Sequence, residues 1–231
     1  MIDQKPILLS IIVPVFNEEK TIKEILEKLS ELKKQKSSIE IIVINDGSKD
    51  NSLSILNNLD AYYDLLISDT VNRGKGYAVK KGIESANGKY ITFQDGDLEF
   101  EPQDLLKFFN VIEKFDPDLI IGSRFNYSEY TRSLNILNRF GNMFLVLIFN
   151  IFYNTSFTDI YTCYICFKSK LLDVKKLRTN GFEQQAEILT KVVKKGNKFY
   201  EVPISYNGRT HKEGKKIRFY HIFSIIFMII A

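Results

Sequence analysis

The chain has 231 residues, 45% of them hydrophobic and 26% charged, with a formal net charge of +4. This is an ordinary globular composition, long enough for one substantial core, and no internal repeat, low-complexity tract or Pro/Gly-rich linker divides it. The one basic cluster, 209–218, is too short to indicate a nucleic-acid partner, and an acidic residue early in MIDQKPILLSIIVP argues against a signal peptide, so a cytosolic chain is expected.

Residues 8–15 (LLSIIVPV) form a near-continuous apolar run, as in a strand buried on both faces of a parallel sheet. From 19 to 34 apolar residues fall at Ile22, Ile25, Leu26, Leu29 and Leu32, which is helical spacing. A second strand, 39–44, ends in Asn45-Asp46-Gly47-Ser48, followed by a short helix over 52–59 and a weaker strand over 65–68. Asn72-Arg73-Gly74-Lys75-Gly76 precedes a helix expected from Tyr77 to Ser85. It lacks the spacing of a Walker phosphate loop, yet glycines and a lysine beside a helix amino terminus suit an approach to phosphate.

The stretch YITFQDGDLEFEP, 90–102, then places Asp95, Asp97 and Glu99 at the carboxyl end of a strand, where ligands bind in an open α/β sheet. Two aspartates flanking a glycine make an oxygen-rich corner suited to a hard divalent cation that shares substrate phosphates. A helix over 102–115 and a strand over 119–122 ending in Ser123-Arg124 complete an alternating pattern. That pattern predicts right-handed βαβ units, a mostly parallel sheet covered by helices, and one rim where Asn17, Glu18, Asp46, Asp95, Asp97 and Arg124 converge.

Residues 132–154 carry Arg132 and Arg139 ahead of a dense apolar run, too short to span a bilayer; such a helix packs in a core or lies at an anionic lipid surface. Cys163 and Cys166 are the only cysteines, in a strand-like setting without a second ligand pair, and are read as buried reduced thiols. Glu183 and Glu187 sit four apart at the start of a helix over 182–195 that points at the same rim. Arg209, Lys212, Lys215, Lys216 and Arg218 precede an apolar tail, and the domain is expected to span 1–218 with 219–231 as a membrane-proximal appendage.

Taken together, these residues resemble the family 2 glycosyltransferases of GT-A fold, in the branch similar to dolichyl-phosphate mannosyltransferase and its polyprenyl-phosphate hexosyltransferase relatives. The resemblance rests on Pro14-Val15-Phe16-Asn17-Glu18, Asn45-Asp46-Gly47-Ser48, Asn72-Arg73-Gly74-Lys75-Gly76, Asp95-Gly96-Asp97, Gly122-Ser123-Arg124, Asp159 with Thr162-Cys163-Tyr164, and Gly208-Arg209-Thr210 with Glu213-Gly214-Lys215-Lys216. It implies an inverting transfer of a hexose from a nucleoside-diphosphate sugar, GDP-mannose or a UDP-hexose, to a polyprenyl phosphate, on the cytoplasmic face of a membrane. Pro14, Val15, Asn17, Glu18 and Asp46 would line the nucleotide pocket, with Gly74 and Lys75 nearby. Asp95 and Asp97, helped by Glu99, would bind Mg2+ or Mn2+. Arg124 and Arg209 would face phosphates, and Arg132, Arg139 and Arg209 are candidates for the lipid phosphate. Asp159, Glu183, Glu187 and Lys215 complete the expected substrate contacts. Asn45, Gly96, Glu99 and Ile165 depart from the family's usual residues.

A phosphate acceptor is already anionic at neutral pH and needs no strong base. A sugar-hydroxyl acceptor would need one, Asp159 or Glu183, and a catalytically silent binding module would need none.

Overall fold

A computed structural model of the chain describes residues 6–125, 132, 136–181, 183–208 and 221–230. The strands are β1 (Leu9–Val15), β2 (Ile39–Asp46), β3 (Leu65–Asp69), β4 (Tyr90–Phe93), β5 (Leu119–Ser123), β6 (Ile165–Lys168) and β7 (Phe199–Pro203). The helices are α1 (Ile22–Gln35), α2 (Ser52–Asn57), α3 (Lys75–Ser85), α4 (Leu105–Phe115), α5 (Ile136–Tyr153), α6 (Gln184–Val193) and α7 (His221–Ile230).

Seven strands form one sheet in the order β3-β2-β1-β4-β6-β5-β7. All pairings are parallel except those of β6, which runs antiparallel to both β4 and β5. The expected mixed, mostly parallel sheet is therefore what forms. Every residue of β2 and β5 is buried, so both faces are covered, and this is why their sequences are apolar runs rather than alternations. Helix α1 buries Ile22, Ile25, Leu26, Leu29 and Leu32, the five residues its periodicity singles out.

Register fixes the rim. Val15 stands opposite Asn45, so β1 and β2 end side by side, whereas β4 ends opposite Ile12, and its continuation carries Asp95 toward the same edge. Ser123 pairs with Pro203, aligning the ends of β5 and β7.

Helix α3 begins at Lys75, two residues before the sequence-based start. Gly74 stands at its cap with φ of +98°, a conformation open to glycine and costly for other residues. Gly76 then lies in the first turn, donating its N–H to the Asn180 carbonyl at 2.9 Å. A β-carbon there would come within 2.5 Å of the Asn180 backbone, so only glycine allows this approach.

Helix α5 is divided lengthwise. Leu145, Val146 and Phe149 are buried, whereas Ile136, Phe140, Met143, Phe144, Leu147 and Ile151 are exposed along the other side. Within the stretch set apart as a tail, 221–230 form α7, which packs against α5 and α6 with Ile225 and Ile229 buried, and the Tyr153 hydroxyl donates to the Ile229 carbonyl at 2.7 Å. No helix among the described residues is long and apolar enough to cross a membrane.

Candidate active site

An open cleft with an internal volume of about 90 Å³ lies beyond the ends of β4, β5 and β7. Asp95 and Glu99 enter it from the segment after β4, Arg124 from the end of β5, Lys75 from the first turn of α3, Tyr161 and Cys163 from the approach to β6, and Tyr206 from beyond β7. The α6 amino terminus adds Gln184 and Gln185.

Lys75 forms an ion pair with Asp95. Burial alone would depress the lysine pKa, but the Asp95 carboxylate more than offsets it and holds the ammonium above its ordinary value. Behind this pair, Asp46 receives the backbone N–H groups of Arg73 at 2.9 Å and Gly74 at 2.8 Å. Asp46 thereby fixes the loop from which Lys75 projects. The Thr21 hydroxyl donates to the Gly96 carbonyl at 2.8 Å, tying the start of α1 to the aspartate segment. Asn17 joins the first two βα loops, its N–H donating to Ser48 Oγ at 3.0 Å and its Oδ1 accepting from the Lys49 N–H at 2.8 Å. Its φ of +56° is a left-handed conformation that asparagine tolerates. Glu18 donates its N–H to Ser52 Oγ at 2.9 Å. Pro14 is half-buried beside them.

Arg124 donates from Nε to Asp159 Oδ2 at 2.7 Å and from Nη2 to Oδ1 at 2.9 Å, a two-pronged pair, and gives a further hydrogen bond to the Tyr161 carbonyl at 2.8 Å. Its guanidinium lies 5.0 Å from the Tyr206 ring centre. The Tyr206 hydroxyl in turn donates to Glu99 Oε2 at 3.0 Å.

Several expected contacts are corrected. Val15 is 1% exposed, a core residue rather than a pocket wall. Asp46 is buried and clamps the glycine loop, so the Gly74 N–H is directed to a carboxylate and not outward. Asp159 has no exposed surface and serves as the counter-ion of Arg124. Glu187 is buried, and its carboxylate receives the N–H groups of Arg178 and Thr179 together with the Thr179 hydroxyl. Glu183 precedes α6 but does not line the cavity; Gln184 and Gln185, one and two residues on, do, because each helical residue turns the side chain by about 100°. Arg132 donates from Nη1 to the Gly208 carbonyl at 3.0 Å, and Arg139 is exposed on α5. Arg209 and Lys215 lie outside the described residues.

Among the described residues no three carboxylate, thiol or imidazole groups converge as a ready metal-ligand set. Glu99 faces Tyr206, and Asp97 is buried with Oδ1 accepting the Glu99 N–H at 3.1 Å, so the trio Asp95, Asp97 and Glu99 is not assembled. The donor chemistry nevertheless fits a hard cation: two carboxylates flank a glycine, and a positive side chain already sits against Asp95. Cys163 and Cys166 are free and buried, as expected, and burial pushes both thiols up, away from the thiolate form.

Tyr161, Tyr206, Gln184 and Gln185 were missed by the sequence reading, which followed charged groups. The signal for Tyr161 was its place inside the Asp159–Tyr164 motif, and for the glutamines their adjacency to Glu183.

Comparison with known proteins shows the family and the fold. The family model described as Glycosyl transferase family 2 matches residues 10–178. The uncharacterized protein MJ0544 of Methanocaldococcus jannaschii is 30% identical over 206 residues, 84% of this chain and 86% of that one. The dolichyl-phosphate beta-glucosyltransferase of Saccharomyces cerevisiae is 30% identical over 231 residues, covering 89% of this chain and 68% of its own. Other curated relatives are longer, and the chain spans 48% of one and 40% of another. Among solved structures, glucosyl-3-phosphoglycerate synthase from Mycobacterium tuberculosis, in complex with Mn2+, UDP and glucosyl-3-phosphoglycerate, superimposes with a TM-score of 0.67 at 16% identity, covering 96% of this chain and 77% of that one.

Proposed function

Because the chain belongs to glycosyl transferase family 2 and has the GT-A fold, we propose that it transfers a hexose from a nucleoside-diphosphate sugar to the phosphate of a polyprenyl lipid, at the cytoplasmic face of a membrane. The observation that carries this reading is the cavity itself. Residues from five distant parts of the chain place Lys75, Asp95 and Arg124 around one space bounded by Tyr161 and Tyr206.

An oxygen of the lipid phosphate attacks the anomeric carbon in line, the bond from that carbon to the diphosphate breaks, and its electron pair leaves with the nucleotide. Inversion of the anomeric centre follows. The acceptor is an anion at neutral pH and requires no proton abstraction. That matches the site, where Asp159 is locked onto Arg124 and unavailable as a base. Lys75 and Arg124 supply positive charge at the cavity wall, where it stabilises phosphate oxygens. Asp95 and Asp97 would hold Mg2+ or Mn2+, which would offset the charge developing on the diphosphate. The exposed apolar side of α5, with Arg139 on the same helix, suits a lipid surface from which the acceptor reaches the cavity.

The test is incubation of the protein with UDP-glucose or GDP-mannose, short-chain polyprenyl phosphate and Mn2+, with mass spectrometry of the lipid. A lipid-phosphate hexose that disappears in Asp97→Ala, with the fold retained by circular dichroism, supports the reading. Transfer only to glycan hydroxyls, or nucleotide binding without any transfer, overturns it.

A further inference from the structure

Lys75 reaches Asp95 from a rigid base. Its backbone opens α3, the preceding two N–H groups are held by Asp46, and the following Gly76 is pressed against the Asn180 backbone. The Lys75 side chain is 36% exposed and that of Asp95 20%, so solvent and ligand reach the pair. A divalent cation entering alone would meet an ammonium group already on its carboxylate, in a partly buried place where like charges repel strongly. A nucleoside diphosphate changes the balance, because its oxygens accept both the ammonium and the cation.

We infer that Lys75 is an internal stand-in for the metal: it neutralises Asp95 in the empty site, keeps a free divalent cation out, and passes to the diphosphate when donor and cation arrive together. This rests on the reading of Asp95 and Asp97 as the carboxylates that hold the cation, and it adds an order to their use. The geometry assigns Lys75 the role of a positioning residue for Asp95 before binding and of a phosphate contact after it. Metal binding should accordingly be weak without nucleotide and strongly cooperative with it.

The experiment measures free Mn2+ by electron paramagnetic resonance during titration of the full chain, alone and with saturating UDP or, separately, GDP. Wild type should bind Mn2+ at least tenfold more tightly with one of the nucleotides than without. In Lys75→Met, Mn2+ alone should bind at least tenfold more tightly than to wild type, and the cooperativity with nucleotide should collapse; Lys75→Arg, which keeps the charge, should behave as wild type. Matched far-ultraviolet spectra and melting curves establish that the variants fold. If Lys75→Met binds Mn2+ no more tightly than wild type while wild type binds it with nucleotide, the stand-in role is overturned and the site reading survives. If wild type takes up no Mn2+ under either condition, the site reading fails, and the inference with it.

Discussion

Arg124 and Asp159 are the pair on which single side chains have most to lose. Both are nearly or wholly buried, and Asp159 takes two guanidinium N–H groups as well as the Arg124 backbone N–H at 3.2 Å. Removing one charge from a buried pair strands the other. Asp159→Asn is therefore expected to cost about 3 kcal/mol in urea unfolding, and a loss below about 1 kcal/mol would show that Arg124 is neutralised elsewhere. Two glycines predict opposite outcomes for one substitution. A β-carbon at Gly96 would lie 3.4 Å from Glu18 Cγ and 3.6 Å from the Pro14 carbonyl, ordinary contacts, so Gly96→Ala should be neutral or stabilising by about 0.5 kcal/mol. At Gly76 the same methyl meets the Asn180 backbone, so Gly76→Ala should lose about 1–3 kcal/mol.

Between elements, α6 is attached to the segment before it through Glu187. Burial alone would raise the carboxyl pKa, but hydrogen bonds from Thr179 and Arg178 outweigh it and hold it below the ordinary value. A carboxyl depressed in the folded state contributes stability above its unfolded pKa, and that contribution fades as pH falls from about 4.5 through the folded value. Glu187→Gln should consequently be less stable than wild type at pH 7, with the two melting curves converging in that acid window; parallel curves down to pH 3 would remove Glu187 as the cause. Helix α5 carries a different expectation. Phe140 and Leu147 are 60% and 56% exposed on its open side, so changing both to serine should leave the melting temperature unchanged. Binding to anionic vesicles, measured by sedimentation, should fall more than tenfold, since each apolar side chain inserted contributes about 1.5–3 kcal/mol. Undiminished vesicle binding would direct attention away from this helix.

At the scale of the molecule, a ligand held between Lys75, Asp95 and Arg124, which come from separate parts of the chain, must stabilise the whole fold. Mn2+ with the correct nucleotide at 100 times its dissociation constant should add about 2.7 kcal/mol and raise the melting temperature by several degrees; no shift with either UDP or GDP would argue against a nucleotide site. The sequence by itself determined a mostly parallel sheet covered by helices, because strands buried on both faces are written as apolar runs and helices as a 3.6-residue period; the strand order and the antiparallel course of β6 came only from the tertiary structure. It also singled out Asp95 and Arg124, which follow the carboxyl ends of β4 and β5 and so lie at the rim of the sheet. Only the tertiary structure decided which charges turn toward ligand and which are consumed inside. Asp46, Asp159 and Glu187 read as site carboxylates along the chain, yet each is satisfied by N–H groups from another segment. Gln184, Gln185 and Tyr206 carry no charge to flag them and reach the cavity through helix rotation and strand end. Partnering between residues of different segments leaves no local periodic trace, and so the chain could name the acidic residues but not divide them between the site and its scaffold.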